Sequence, residues 1–349
     1  MRTYAPSSSE LLHGQAATPI VFVRTILLGY RKYGADPANA LREAQISDRA
    51  LEDPASRITA AQLEKISGQA MQELDDEALG WFSRRLPWGS YGMLCRASLT
   101  SPTLEVALKR WCRHHRLLTD DLVLELTQDR TTATVTVVER RDFGAMREFC
   151  LVTILRYLLG YACWLVDSRI PLRVARFPFA APPHADAYTY MFRSPIEFGA
   201  ASAAVSFDAR YLGFAVCRDE TALRAMLQRA LPLTVLQYRR DRLLVENVRQ
   251  LLRRAPEAAL TAEHVAGRLH LSVRTLHRQL KEEGASLQDL KDEARREHAV
   301  GLLQTTTRPI KQIAAAVGFA SEKSFARAFK HWTGQSPLEF RDRSRRTVQ

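Results

Sequence analysis

Arg274, Arg278 and Lys281 stand at i, i+4 and i+7, and Lys323, Arg327 and Lys330 repeat that spacing 49 positions later. On a helix, this spacing aligns the three cations of each set along one stripe. Leu276 and Leu280, matched by Phe325 and Phe329 at the same shift, fall on a different face. A helix held to a core on one side and carrying a positive row on the other suits the major groove of a duplex. Nothing comparable points to catalysis, since the chain has no G-x-S-x-G, H-E-x-x-H or P-loop string. Cys112, His114 and His115 spell C-x-H-H, but adjacent histidines project from different helix faces and no second ligand cluster accompanies them. No metal and no cofactor are therefore expected.

The charge distribution agrees with a polyanionic partner. The 349 residues carry a formal charge of +12, and the stretch from Arg239 onward holds 22 basic against 13 acidic residues, leaving only +3 elsewhere. At this length two domains are the default. All five cysteines (Cys95, Cys112, Cys150, Cys163 and Cys217) lie before that basic third without a CxxC pair, the pattern of a reducing cytoplasm. The N-terminus lacks the apolar run of a signal peptide. Leu151–Val166 is strongly apolar but short for a membrane span and contains Arg156, so it reads as a buried core helix.

Positioning these residues requires a scaffold whose elements are partly legible. Residues 1–18 are rich in Ser, Ala and Thr and read as a disordered tail. An α+β domain follows over 19–215. Helices are expected over Val21–Tyr33, from Pro37 through Glu43, after a T-x-x-Q capping box at Thr59–Gln62, and from a Ser101 cap with Pro102 at N1 to about His115. Leu122–Thr127 and Thr132–Glu139 form a hairpin turning at Gln128-Asp129-Arg130. Leu172–Phe177 and Ala204–Phe207 give two more strands, with the proline-rich Phe177–His184 as loop. Residues 216–238 serve as a linker, with helices over Asp219–Arg229 and Val235–Arg254 broken at Pro232. An all-α domain fills 239–343, and 344–349 form a tail, the basic Arg341–Val348 being flexible.

In the first repeat Thr261 caps a short helix, Ala262–Leu269, then His270-Leu271 turn the chain and Ser272 caps the cation-bearing helix. In the second, Pro309 lies early in a helix through Val317, Gly318 makes the turn and Ser321 is the cap. The helices before the turns are offset by 48 and those after by 49, so the second turn has one extra residue. Leu287–Gln304 reads as a continuous helix joining the two.

The string GFASEKSFARAFKHWTGQSPLEFR from Gly318 to Arg341 resembles the signature of the AraC/XylS transcription regulators, through Gly318, Phe319, Phe325, Arg327, Phe329, Lys330, Gly334, Pro337 and Arg341. The resemblance covers the last hundred or so residues. It implies a seven-helix DNA-binding domain of two helix-turn-helix units joined by a helix. It further implies base-edge contacts from the early turns of each recognition helix: Arg274, Thr275, His277 and Arg278 in the first, Glu322, Lys323, Ser324 and Arg327 in the second. The N-terminal portion resembles the sensing domain of the ornithine-utilisation regulator subgroup, without the strand pattern of the arabinose regulator's own sensor. Membership implies a bacterial, cytoplasmic activator that binds promoter DNA as a homodimer, contacts RNA polymerase and answers to a small-molecule effector.

Chemistry ranks the contacts. Arg274 and Arg278 suit bidentate bonding to guanine, Lys281 and Lys330 lie further along and suit phosphate, and Glu322 suits either cytosine or its own helix dipole. Phe325, Phe329 and Trp332, spaced i, i+4, i+7, read as core. Trp81, Trp88, Tyr91, Trp111, Tyr157 and Trp164 are either core or the wall of an effector pocket. Two rival readings remain at this stage: an N-terminal domain that only dimerises, and an enzyme with a DNA-binding appendage, which the missing catalytic motifs disfavour.

Overall fold

The computed structural model describes residues 16–228, 241–254 and 261–346. The expected tail up to residue 15, the break at Pro232 and the last three residues lie outside these. Contacts divide the chain into two compact units, Met1–Asp241 and Arg242–Gln349.

In the first unit, β1 (Thr18–Pro19) leads into α1 (Ile20–Tyr33), α2 (Ala38–Glu43) and α3 (Asp48–Glu52), and β1 pairs antiparallel with β2 (Arg57–Ile58). Helix α4 (Ala60–Glu73) starts on the capping box read from sequence, the Thr59 hydroxyl accepting from Gln62 N at 3.2 Å and the Gln62 carboxamide from Thr59 N at 3.0 Å. Helix α5 (Ser90–Leu99) was not anticipated. Helix α6 (Leu104–His115) begins two residues later than expected, with Thr103 and not Ser101 as its cap. The cause is long-range: Thr103 bridges to Ala215 and Leu104 N donates to Phe214 O at 2.8 Å, which keeps the chain extended through Thr103.

Strands β3 (Leu122–Gln128) and β4 (Thr132–Glu139) form the hairpin; its last pair is Gln128 with Ala133, and residues 129–131 lie between the strand ends. Asp129 accepts from Thr131 N and Thr132 N at 2.7 and 2.8 Å and holds them there. Helix α7 (Arg147–Leu165) starts four residues before the apolar run. It is long and apolar enough to cross a membrane, yet 78% of its most apolar stretch is buried within the protein, which makes it a core helix. Then come β5 (Leu172–Phe177), α8 (Asp186–Phe192), β6 (Ile196–Phe198), β7 (Ala203–Asp208) and α9 (Glu220–Leu227). The sheet order is β3-β4-β7-β5-β6, antiparallel except for the β5–β6 pair. On β4, Ala133, Val135 and Val137 are fully buried while the threonines between them face the other side. Helix α9 lies within the first unit against α5, where the sequence suggested a linker: Leu227 packs onto Gly92 and Glu220 pairs with Arg96 at 3.0 Å.

The described part of the second unit holds seven helices: α10 (Leu243–Arg254), α11 (Ala262–Arg268), α12 (Val273–Glu282), α13 (Leu287–Thr305), α14 (Ile310–Ala316), α15 (Glu322–Thr333) and α16 (Pro337–Arg346). Of the range Val235–Arg254 expected as helix, residues 241–254 are described and are helical from Leu243. The 19 residues of α13 span about 28 Å. This one helix serves two separate cores: Leu287 and Leu290 join Val245, Val265, Leu276 and Leu280, while Ala299 and Leu303 join Ile313, Val317, Phe325 and Phe329. Arg249–Glu293 and Arg253–Glu297, both at 3.1 Å, tie α10 to α13. Pro309 is the N-cap of α14 and not within it, as the missing N–H makes natural. From Arg341 to Arg346 the chain is helix and not a flexible tail. It continues α16 to Arg346, with Arg341 only 8% exposed and donating to Arg308 O at 2.7 Å.

Candidate nucleic-acid interface and sensor cavity

Both repeats are built on one hydrogen-bond plan. In the first, Leu271 N donates to Ala266 O at 2.9 Å and His270 N to Gly267 O at 3.2 Å; in the second, Phe319 N donates to Ala314 O at 2.9 Å and Gly318 N to Ala315 O at 3.0 Å. These pairs are all 48 apart, whereas the caps Ser272 and Ser321 are 49 apart, so the extra residue of the second turn is Ala320. The left-handed turn position is His270 in one copy (φ 55°) and Gly318 in the other (φ 81°). Each serine then accepts from the backbone N–H three residues on, Thr275 or Ser324, at 3.1 Å.

These caps also occupy two of the expected contact residues. The Thr275 hydroxyl lies 2.8 Å from that of Ser272, and the Ser324 hydroxyl donates to Ser321 O at 2.8 Å. Both side chains are thus engaged in starting their helices. Leu276, Leu280, Phe325 and Phe329 are all fully buried, which turns the opposite face outward. On it Arg274, His277, Arg278 and Lys281 are exposed in α12, and Glu322, Lys323, Arg327 and Lys330 in α15. Arg278 pairs with Glu282 at 3.6 Å, a solvent-exposed bridge of little energetic weight. Among the described residues, Arg274, Lys281, Lys323, Arg327 and Lys330 form no salt bridge. Trp332 is half-buried, its ring 5.8 Å from that of Phe319. Arg295 of α13 lies over the same phenylalanine ring, 5.5 Å from its centre, and so fixes the second turn against the shared helix.

The first unit has a cavity of about 740 Å³, open to solvent on one side, lined by Trp81, Trp88, Tyr91, Trp111 and Tyr157, five of the six aromatics singled out from sequence. Trp164 is elsewhere, stacked on Tyr161 at 5.8 Å and covered by Arg218. One wall is the loop between α4 and α5. Its anchor is Asp76, wholly buried, which accepts from the backbone N–H groups of Ala78, Gly80 and Leu86 and from the Tyr33 hydroxyl at 2.8–3.0 Å. Lys32 clamps the same loop through Gly80 O and Phe82 O at 2.8 and 2.7 Å. The loop presses so closely on α1 that a Cβ at Gly29 would sit 2.4 Å from Leu79 O, and Leu79 itself adopts φ 50°.

Sequence reasoning missed two cavity residues, Glu77 and His115. Helix α5 starts at Gly89 with no capping side chain of its own, and Glu77 supplies the acceptor, taking Gly89 N at 2.7 Å and Tyr91 N at 2.6 Å. Burial pushes its carboxyl above the usual range. The available signal was the acidic run Asp75-Asp76-Glu77 just before Trp81. His115, on the buried face of α6, is driven down to about 4 by burial, and the Cys112 thiol up to about 12. Both are therefore neutral, and among the described residues no three His, Cys, Asp or Glu side chains are grouped to hold a metal.

Comparison with known proteins fits this two-part construction. Residues 34–215 match the family model of the arabinose-binding domain of AraC transcription regulators, and residues 265–343 match a helix-turn-helix domain. The chain belongs to the AraC family of transcription regulators. The ornithine utilization regulator of Pseudomonas aeruginosa is 28% identical over 93% of this chain and 96% of its own length. The regulator VqsM of the same organism is 37% identical over 25% of this chain and 26% of its length. The crystal structure of the regulator CdpR from Pseudomonas aeruginosa aligns over 92% of this chain and 98% of its own, at 19% identity and a TM-score of 0.34. As an AraC-family protein the chain is a DNA-binding regulator and not an enzyme.

Proposed function

We propose that this AraC-family regulator binds promoter DNA as a cytoplasmic homodimer and activates transcription, through contact with RNA polymerase, when a small molecule occupies the cavity of its first unit. The DNA-binding half of the reading rests on one observation: two exposed cation rows on helices whose opposite faces are buried in separate cores. Arg274 and Arg278 serve as base readers. Lys281, Lys330, Lys323 and Arg327 serve mainly as phosphate contacts, and Glu322 and His277 flank them. Thr275 and Ser324 position their helices through the caps. Continuity of α13 between the cores makes the two recognition helices one rigid reader of two half-sites.

Deleting one residue of α13 between Leu290 and His298 turns one recognition helix by about 100° relative to the other. In a footprint with the full-length protein, that deletion is expected to abolish protection of one half-site. Undiminished protection of the complete operator would remove the rigid two-site reading.

Effector control is supported by the cavity, by its aromatic lining and by the presence of Leu227 and Gln228 of the α9 end among its walls. Ligand contact there offers a route for shifting the populations of DNA-binding states. The competing reading, a first unit that only dimerises, predicts no ligand. Thermal melting of the full chain against fractionated metabolite extracts separates the two, because a ligand specific for the native state raises Tm. Failure of every fraction to do so in a fully dimeric protein would favour the dimerisation reading.

A further inference from the structure

We propose that the cavity of the first unit takes a small organic cation, an alkylammonium compound held between aromatic faces beside Glu77. The inference rests on reading that unit as a sensor and goes on to name the class of its ligand.

Three observations carry it. The first is the wall itself. The Tyr91 ring lies 5.2 Å from that of Tyr157, tilted by 49°, and 5.7 Å from that of Trp111, edge to face, so the three rings form one connected cluster, with Trp81 and Trp88 also lining the cavity. Aromatic faces carry negative partial charge and attract ammonium groups, most strongly where water is excluded. The second is the charge inside. Glu77 accepts two backbone N–H bonds and, among the described residues, pairs with no cation. A carboxylate has about four acceptor directions, so it retains capacity for a ligand. The basic residues of the lining are engaged elsewhere, Lys65 with Glu43 at 3.1 Å and Arg96 with Glu220 at 3.0 Å, and all four of these side chains are substantially exposed. The third is His115, which burial keeps neutral, so it adds no positive charge to offset Glu77.

An anion would face Glu77 and the negative ring faces at once. A polyhydroxylated ligand would need many polar partners, and this lining is mainly rings and aliphatic chains. A cation relieves the half-buried carboxylate and uses the rings for what their electrostatics favour.

Choline and its neutral carbon isostere, 3,3-dimethyl-1-butanol, have nearly the same shape and differ in charge. Their binding to the full-length protein is read by thermal melting and by quenching of tryptophan fluorescence, with L-arabinose as a neutral polyol control. Choline is expected to raise Tm and to bind at least about tenfold more tightly than the isostere. Glu77→Gln should erase most of that preference for choline over the isostere. Because Glu77 also caps α5, Trp88→Ala provides a second variant at an exposed position; it should weaken choline about threefold at unchanged melting temperature of the free protein. Equal or tighter binding of the isostere, or choline affinity indifferent to both substitutions, overturns the cation assignment. So does binding of arabinose without choline, which would leave the sensor reading standing with a different ligand. If none of the three compounds binds, the cation class falls, and the extract screen alone decides whether the unit senses anything.

Discussion

In the first helix-turn-helix unit, Leu276 and Leu280 anchor the recognition helix among Val245, Val248, Leu252 and Val265. In the second, Phe325 and Phe329 do so among Phe319, Trp332 and Phe340, with successive ring centres 5.5–5.8 Å apart. The first turn closes on His270 in a conformation that a side chain resists, the second on a glycine followed by the additional Ala320. The second also has Arg295 laid over Phe319 and Arg341 holding the carbonyl of Arg308. Identical backbone bonding can therefore be filled by an aliphatic or an aromatic core. The aromatic one is a chain of ring contacts that should make the second unit the stiffer platform, whereas the first is tied to α13 by the Arg249–Glu293 and Arg253–Glu297 pairs. The first carries an arginine, Arg274, at its leading edge where the second carries Lys323.

The largest test of that difference is in the cores. Phe329→Ala should cost about 3–5 kcal/mol and Leu280→Ala about 2–4 kcal/mol in denaturant unfolding of the full chain, with hydrogen exchange locating the loss. A larger loss at Leu280 would reverse the proposed order of stiffness. On DNA, Arg274→Ala should cost about 1–3 kcal/mol on the operator and relax the preference at one base pair. Lys330→Ala should weaken operator and random DNA alike and reduce the salt slope by about 1. Indistinguishable behaviour of the two variants would end the division into reader and clamp. The turns should give the smallest effects. Gly318→Ala is expected to cost about 1–2 kcal/mol through its backbone conformation alone, since the nearest atoms to a new Cβ are the Arg295 guanidinium at 3.9 Å. His270→Gly should change stability by only a few tenths of a kcal/mol, in the stabilising direction. A loss at His270 as large as that at Gly318 would mean the imidazole makes contacts beyond its turn.

The second unit was largely legible because its signals are local: serine caps, i/i+4 apolar pairs and a turn glycine all lie within a dozen residues of what they organise. The end of α16 was read as a tail because its basic composition conceals that Arg341 is buried beside the partly buried Phe340. In the first unit the missed elements depend on distant partners. Helix α5 is capped by Glu77, some dozen residues upstream and across a loop. The start of α6 is set by Phe214 and Ala215, and the three-residue β6 exists only as a parallel edge to β5. The aromatic residues of the cavity were visible as types, but their convergence, and the half-buried carboxylate among them, arise only when α5, α6, α7 and the loop are assembled.

That loop has a kinetic meaning. Asp76 meets its hydrogen-bonding needs entirely within the protein, and Lys32 and Tyr33 bind the same segment from α1. The wall bearing Glu77 and Trp81 thus stands complete before any guest arrives, and the entropy of ordering it belongs to folding and not to association. Capture by such a site is governed by passage through its mouth, where Trp88 is 54% exposed. The lifetime of the complex, more than the speed of its formation, would then set how long the signal lasts.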